Sequence, residues 1–173
     1  MTQRRVENIA RFYIERFATT SAHLRRVLSR RAERARRVHG GEAAEMNGWI
    51  EEVVARLVRL GLVNDARYAA DRAASLRRLG RGPGRIRALL AAKGVPRAMI
   101  EKALKETAET EGGEDASLNA ALAYAKRRRF GGYGKMPADK DERAKKQKKE
   151  LAALGRAGFS YAIARKALDG EAE

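Results

Sequence analysis

The chain has 173 residues, with 38 Lys and Arg against 22 Asp and Glu, for a formal net charge of +16. It has no cysteine, two histidines and three prolines, while charged residues reach 35% and aromatics only 6%. That excludes a disulfide framework, a thiolate zinc site and a cysteine nucleophile, and it favours surface-rich helices over a sandwich or barrel.

No apolar stretch approaches the ~20 residues that a bilayer-spanning helix needs. Met1-Thr2-Gln3-Arg4-Arg5 has no apolar signal segment behind it. A soluble, cytoplasmic protein without membrane contact is expected.

Helical periodicity runs along the chain and no strand pattern competes. Ile9, Phe12, Tyr13 and Phe17 recur at steps of three and four. Ser21 is placed to cap a second helix carrying Leu24, Val27, Leu28 and Ala32, which ends at Gly40-Gly41. Met46, Ile50, Val53, Leu57 and Leu60 make a third stripe, closed by Gly61. Asn64 caps a fourth helix, 65–79, with Ala66, Ala69, Ala73 and Leu76 inward. Gly80 to Gly84 breaks the chain as a linker. A fifth helix carries Ile86, Leu89 and Leu90 and stops at Gly94. Pro96 suits the first turn of a sixth, with Met99, Ile100, Ala103 and Leu104. Gly112-Gly113 marks a linker before a seventh helix at 115–129. Phe130 to Pro137 is a glycine-containing loop. An eighth helix covers 138–156, and Ser160 caps a ninth with Ile163, Ala164, Ala167 and Leu168.

The helices repeat. Leu90 to Val95, then Met99, Ile100, Ala103 and Leu104, match Leu154 to Phe159, then Ile163, Ala164, Ala167 and Leu168, position for position. Leu57 to Leu62 opens the same way. The physical unit is a helix, a left-handed glycine cap, an apolar residue folded back, and the next helix. The expected fold is all-α: an elongated array of three tandem three-helix repeats at 1–61, 62–110 and 111–173. Each repeat is too small to bury its own apolar face without its neighbours.

Charge is unevenly placed. Residues 1–40 carry 11 basic and 3 acidic side chains, residues 41–80 carry 6 of each, and residues 126–149 carry 11 against 3. The candidate contacts for nucleic acid or another polyanionic surface fall in three clusters. Arg25 and Arg26 belong to the first. Arg72, Arg77, Arg78, Arg81 and Arg85 surround the middle glycine run, at positions expected on the surface. Lys126, Arg127, Arg128, Arg129, Lys145, Lys146, Lys148 and Lys149 form the third. The competing reading of each is a solvated helix face. Tyr133, beside the third cluster, either stacks on a base or packs locally.

No catalytic constellation emerges. Asp65 and Asp71 are six apart, on different sides of a helix, and share no site. His23 and His39 are sixteen apart without an acidic partner pattern. Gly80-x-Gly82-x-Gly84 lacks the Lys-Ser/Thr of a P-loop and any preceding strand. No catalytic residue, metal or cofactor is expected.

The middle unit reads Gly61-Leu62-Val63-Asn64-Asp65-Ala66-Arg67-Tyr68-Ala69, then Arg81-Gly82-Pro83-Gly84-Arg85-Ile86, then Leu89 to Lys93-Gly94-Val95. This resembles the middle repeat of the RecX family. Arg127-Arg128-Arg129-Phe130 and Leu154 to Ser160 are similar to its third repeat, and Tyr13 to Arg16 through Ser21 and Leu24 to its first. Asn64 stands where the family has the first of two acids, Tyr68 where it has Phe, and His23 where an acid precedes Leu24. The stretch from Arg30 to Glu45 is longer than in the family. The resemblance implies a cytoplasmic, non-enzymatic, monomeric regulator that binds the RecA–DNA filament and suppresses ATP hydrolysis and strand exchange. It also implies sequence-independent contact with single- and double-stranded DNA. The alternative is a basic helical nucleic-acid-binding protein without a dedicated protein partner.

Overall fold

The computed structural model describes residues 1–111 and 113–169. Gly112 of the expected linker and the last four residues of the expected third repeat lie outside these. In chain order the helices are α1 (Gln3–Ile14), α2 (Ser21–His39), α3 (Ala43–Arg59), α4 (Asp65–Arg78) and α5 (Pro83–Ala92). Then follow α6 (Arg97–Glu111), α7 (Gly113–Arg128), a 3-10 turn (Gly131–Tyr133), α8 (Lys140–Arg156) and α9 (Tyr161–Asp169). No strand occurs among the described residues.

The capping residues explain the boundaries. The Asn64 side chain accepts from Arg67 N at 2.9 Å, and the Ser160 hydroxyl accepts from Ile163 N at 3.3 Å, both as expected. At α2 the cap is Thr20 rather than Ser21. The Thr20 hydroxyl accepts the His23 amide at 3.0 Å, and Ser21 is already helical. Between Arg30 and Glu45 the chain is mostly helix, because α2 continues to His39 before Gly40 breaks it.

The chain forms two compact units. The first comprises residues 1–69 and 91–99, and the second residues 70–90 and 100–173. The first unit is built around Val6, Ala10, Leu24, Leu28, Ile50, Val53, Val54 and Leu57, with Tyr13 and Trp49 packed at the edge. These residues fall at the three- and four-step positions of α1, α2 and α3, so three amphipathic stripes meet in one core. Asp65 joins this unit. Its two carboxylate oxygens accept from the Ser21 amide and hydroxyl, each at 2.7 Å, so it caps α2 from a distant part of the chain. The Thr20 hydroxyl donates to Lys93 O at 2.6 Å.

The second unit contains a core of Ala121, Tyr124, Leu154, Ala157, Phe159, Ala164, Ala167 and Leu168. The glycine-capped repeat holds at Gly94 and Gly158, where the following Val95 and Phe159 are buried. At Gly61 the register differs. Leu62 is 59% exposed and Val63, at 2%, takes the inward place. Both amides close on Leu57 O, at 3.0 and 3.3 Å, and that tight closure turns Leu62 outward.

The glycine run at 80–84 is a packing element and not a free linker. Gly82 N donates to Ala157 O and Gly84 N donates to Gly158 O, both at 3.0 Å. The two backbones cross with no side chain between them. A Cβ on Gly82 would lie 2.7 Å from Phe159 N, and one on Gly158 would lie 2.7 Å from the Arg85 Cβ. Gly158 also has φ +96°, in the left-handed region.

Replacing Gly158 with Ala is expected to cost ~3 kcal/mol or more in denaturant melts, from added strain and overpacking. Gly155→Ala, at an open position of α8 with nothing within 4 Å, is expected to stabilise by ~0.5–1 kcal/mol. Leu90 and Leu154 are fully buried. Truncating either to Ala is expected to cost ~2–5 kcal/mol in the same melts.

Candidate functional site

The cations of this chain separate into those already neutralised within the fold and those that are not. In the first unit Arg25 Nε donates to both oxygens of Glu51, at 2.8 and 3.0 Å, and Arg26 donates to Ala92 O at 2.9 Å. These two predicted contacts are engaged within the unit. Arg36 and Arg37 share Glu33, each at 2.9 Å, and their hydrogen bonds pull the Glu33 carboxyl down to about 2. Arg30, Arg31 and Arg34 line a groove of about 1150 Å³ between α1 and α2, with Arg5 opposite and Ile9, Val27 and Val38 exposed to it.

In the second unit Arg77 departs from expectation. It is 7% exposed, and its guanidinium donates to Ser117 Oγ at 3.1 Å. The reason is helical register: Arg77 continues the four-residue steps of Ala69 and Ala73, both buried, so it points inward with them. Arg77 is therefore removed from the set of surface contacts. Arg72 and Arg78 remain exposed on α4. Arg87 pairs with Glu101 at 2.7 Å. Lys146 donates to Lys135 O at 2.5 Å and pairs with Glu150 at 3.6 Å, so it too is engaged. Lys126, Arg127, Arg129 and Lys145 are exposed. Arg129 holds φ +58°, an unusual conformation for a residue with a side chain. It closes α7 through Phe130 N to Ala125 O at 2.9 Å. Tyr133, in the 3-10 turn, is partly buried.

Four of the cations named from the sequence converge. Arg81, Arg85, Arg128 and Lys149 line one cleft of about 670 Å³, together with Arg156. Tyr124 and Phe130 also line it, edge to face at 6.2 Å, and the Arg128 guanidinium carbon lies 5.7 Å from the Tyr124 ring centre. The lining includes one acid, Glu150, which is buried and already occupied: it accepts from Gly131 N at 3.0 Å and pairs with Lys146. No ion pair joins any of the five cations to a carboxylate among the described residues. Arg156 is not among the sequence candidates. Arg156 stands two residues before a capping glycine, but linear spacing gives no sign that this glycine meets residues 82–85.

A fold of stacked helices carrying a cleft of unneutralised cations defines the class as that of a helical-repeat protein with a cationic cleft. A family model described as RecX, second three-helix domain, matches residues 64–104. A regulatory protein RecX of Myxococcus xanthus is 42% identical over 95% of this chain and 84% of its own length. One from Pseudomonas fluorescens is 34% identical over 79% of this chain and 84% of its own. The crystal structure of RecX from Lactobacillus salivarius shares the fold, with a TM-score of 0.67 at 20% identity over 96% of each chain. This chain belongs to the RecX family of regulatory proteins, which are not enzymes. Among the described residues no helix is long and apolar enough to cross a membrane.

His23 gives a pH prediction. Its Nε2 lies 3.2 Å from the Tyr13 hydroxyl and 3.4 Å from Lys93 Nζ. Burial lowers its pKa from 6.5, and Lys93, Arg26 and Arg30 lower it further. The unfolded chain therefore binds this proton more readily than the folded one. Stability is expected to be full above pH 6.5 and to fall as the pH drops from there through the lowered folded value. Denaturant melts of His23→Gln should lack that part of the decline.

Proposed function

We propose that this protein binds the RecA–DNA filament in the cytoplasm, as a monomer, and inhibits ATP hydrolysis and strand exchange by occupying the filament. The observation that carries this reading is family membership along nearly the whole chain, 42% identity over 95% of it. The unneutralised cations of the second unit supply the physical means. Phosphate contacts fix position and carry no direct base information, so binding through them is independent of DNA sequence. With ~5 phosphates neutralised on duplex DNA, log K falls with log salt at a slope of about −4 to −5.

The test is a DNA-dependent recombinase ATPase assay with added protein, run beside binding to bare and to recombinase-coated DNA. Addition should slow hydrolysis, and binding to coated DNA should greatly exceed binding to bare DNA. Equal binding to both would instead make the chain a general basic nucleic-acid-binding protein. The triple variant Arg78→Glu, Arg81→Glu, Arg85→Glu should keep its helicity and lose inhibition in proportion to lost filament binding. Full inhibition by that variant at physiological salt would mean that the middle cluster is only a solvated face.

A further inference from the structure

The cleft lined by Arg81, Arg85, Arg128, Lys149 and Arg156 draws its cations from the glycine run, α5, α7 and α8. Like charges gathered in this way repel one another, and the one carboxylate of the lining, Glu150, is committed to Gly131 N and Lys146 and pairs with none of the five. Elsewhere the chain neutralises arginines readily: Arg25, Arg36, Arg37, Arg56, Arg87 and Arg165 all have acid partners. The crossing of Gly82 and Gly84 on Ala157 and Gly158 sets the backbone next to Arg81, Arg85 and Arg156, so these positions are held before any ligand arrives. A preorganised concave cluster of one sign focuses potential and selects an anion with several charges.

The aromatic lining narrows the chemistry. Tyr124 is buried and packs edge-on against both Phe130 and Phe159, each at 6.2 Å. Its ring is used inside the unit and offers no open face on which a base would stack. The cleft therefore offers cations for phosphate and no open Tyr124 face for a base. A second depression of about 470 Å³ shares Arg85 and Arg156 with it, so the two concavities meet at these residues. A path longer than one small pocket suits a linear chain of phosphates. A duplex is too wide and stiff to enter a cleft of about 670 Å³, whereas one flexible strand can run its phosphates along a basic groove of that size.

We propose that this cleft is a clamp for the phosphodiester backbone of single-stranded DNA. The proposal rests on the reading above that the chain acts on DNA-bound recombinase, and it names the part of the chain that holds the strand. Because the clamp is read on bare DNA, its failure is separable from failure of the filament reading.

The experiment is fluorescence anisotropy on the full chain with a labelled oligothymidylate across a salt series. Arg81→Ala/Arg85→Ala/Arg156→Ala is compared with the charge-matched Arg4→Ala/Arg11→Ala/Arg59→Ala, whose positions are exposed in the first unit. Circular dichroism and melts confirm that both fold. The cleft variant should bind at least ~10-fold more weakly, and its single-strand salt slope should flatten by about 2, from ~0.7 per lost phosphate contact. The control should lose much less. Equal losses in the two variants, or none in the cleft variant, would overturn the clamp while leaving ATPase inhibition to be judged separately. A duplex of matched length should lose less affinity than the single strand in the cleft variant, and an equal or larger loss would overturn the single-strand assignment. A nucleoside triphosphate without metal should compete poorly. Stoichiometric displacement of the strand by it would make the occupant a free polyphosphate and overturn the proposal.

Discussion

A close crossing of two backbones governs the second unit. Gly82 and Gly84 donate their amides to Ala157 O and Gly158 O, and there is no room for a side chain between the strands of chain that meet. Side-chain packing tolerates compensation, because a neighbour moves or changes rotamer. A backbone contact has no such freedom, and any Cβ must displace main chain. The crossing therefore fixes where Arg81 and Arg85 stand with respect to Arg156. It brings Arg156 from a distant part of the chain to Arg81 and Arg85 and makes of them one charged surface.

The fate of each cation follows from what surrounds it. Exposed ion pairs such as Arg25 with Glu51 contribute little to stability, ~0–1 kcal/mol, because water screens them. Their larger effect is on the field the protein presents. An arginine that already faces a carboxylate adds little potential at a distance, and one without a partner adds its full share. Sorting the arginines this way takes Arg25, Arg36 and Arg37 out of the arginine-dense α2, and leaves Arg30, Arg31 and Arg34 there and the five cations of the cleft in the second unit. Counting charge along the chain ranks the two regions alike.

The residues that carry the family resemblance also do structural work in the first unit. Asp65 caps α2 through Ser21, and Lys93 O receives the Thr20 hydroxyl. A Cβ on Gly94 would lie 2.5 Å from the Ala22 Cβ. Residues 91–99 thus belong with the first unit although the middle repeat contains them. A three-helix repeat is a unit of sequence, and its capping polar groups are satisfied by a neighbouring repeat. This is what an array of subunits too small to fold alone requires.

Helix content, the glycine caps and most inward positions were legible in the chain itself, because they depend on local spacing. Apolar residues at three- and four-residue steps and a glycine at the turn act within one helix or its end. Leu154, Ile86 and Ile50 are buried where periodicity puts them. Arg77 was legible too, as the next step after Ala69 and Ala73, but its charge argued for solvent more strongly than its register argued for the core. The partners of the caps and the membership of the cleft were not. Thr20 outcompetes Ser21 as a cap because Asp65 claims the Ser21 amide and hydroxyl. Arg156 joins Arg81 because Gly158 meets Gly82. Local spacing settles which residues face inward along a helix. Only tertiary structure decides which distant backbone or carboxylate they meet, because those contacts depend on how separate helices pack.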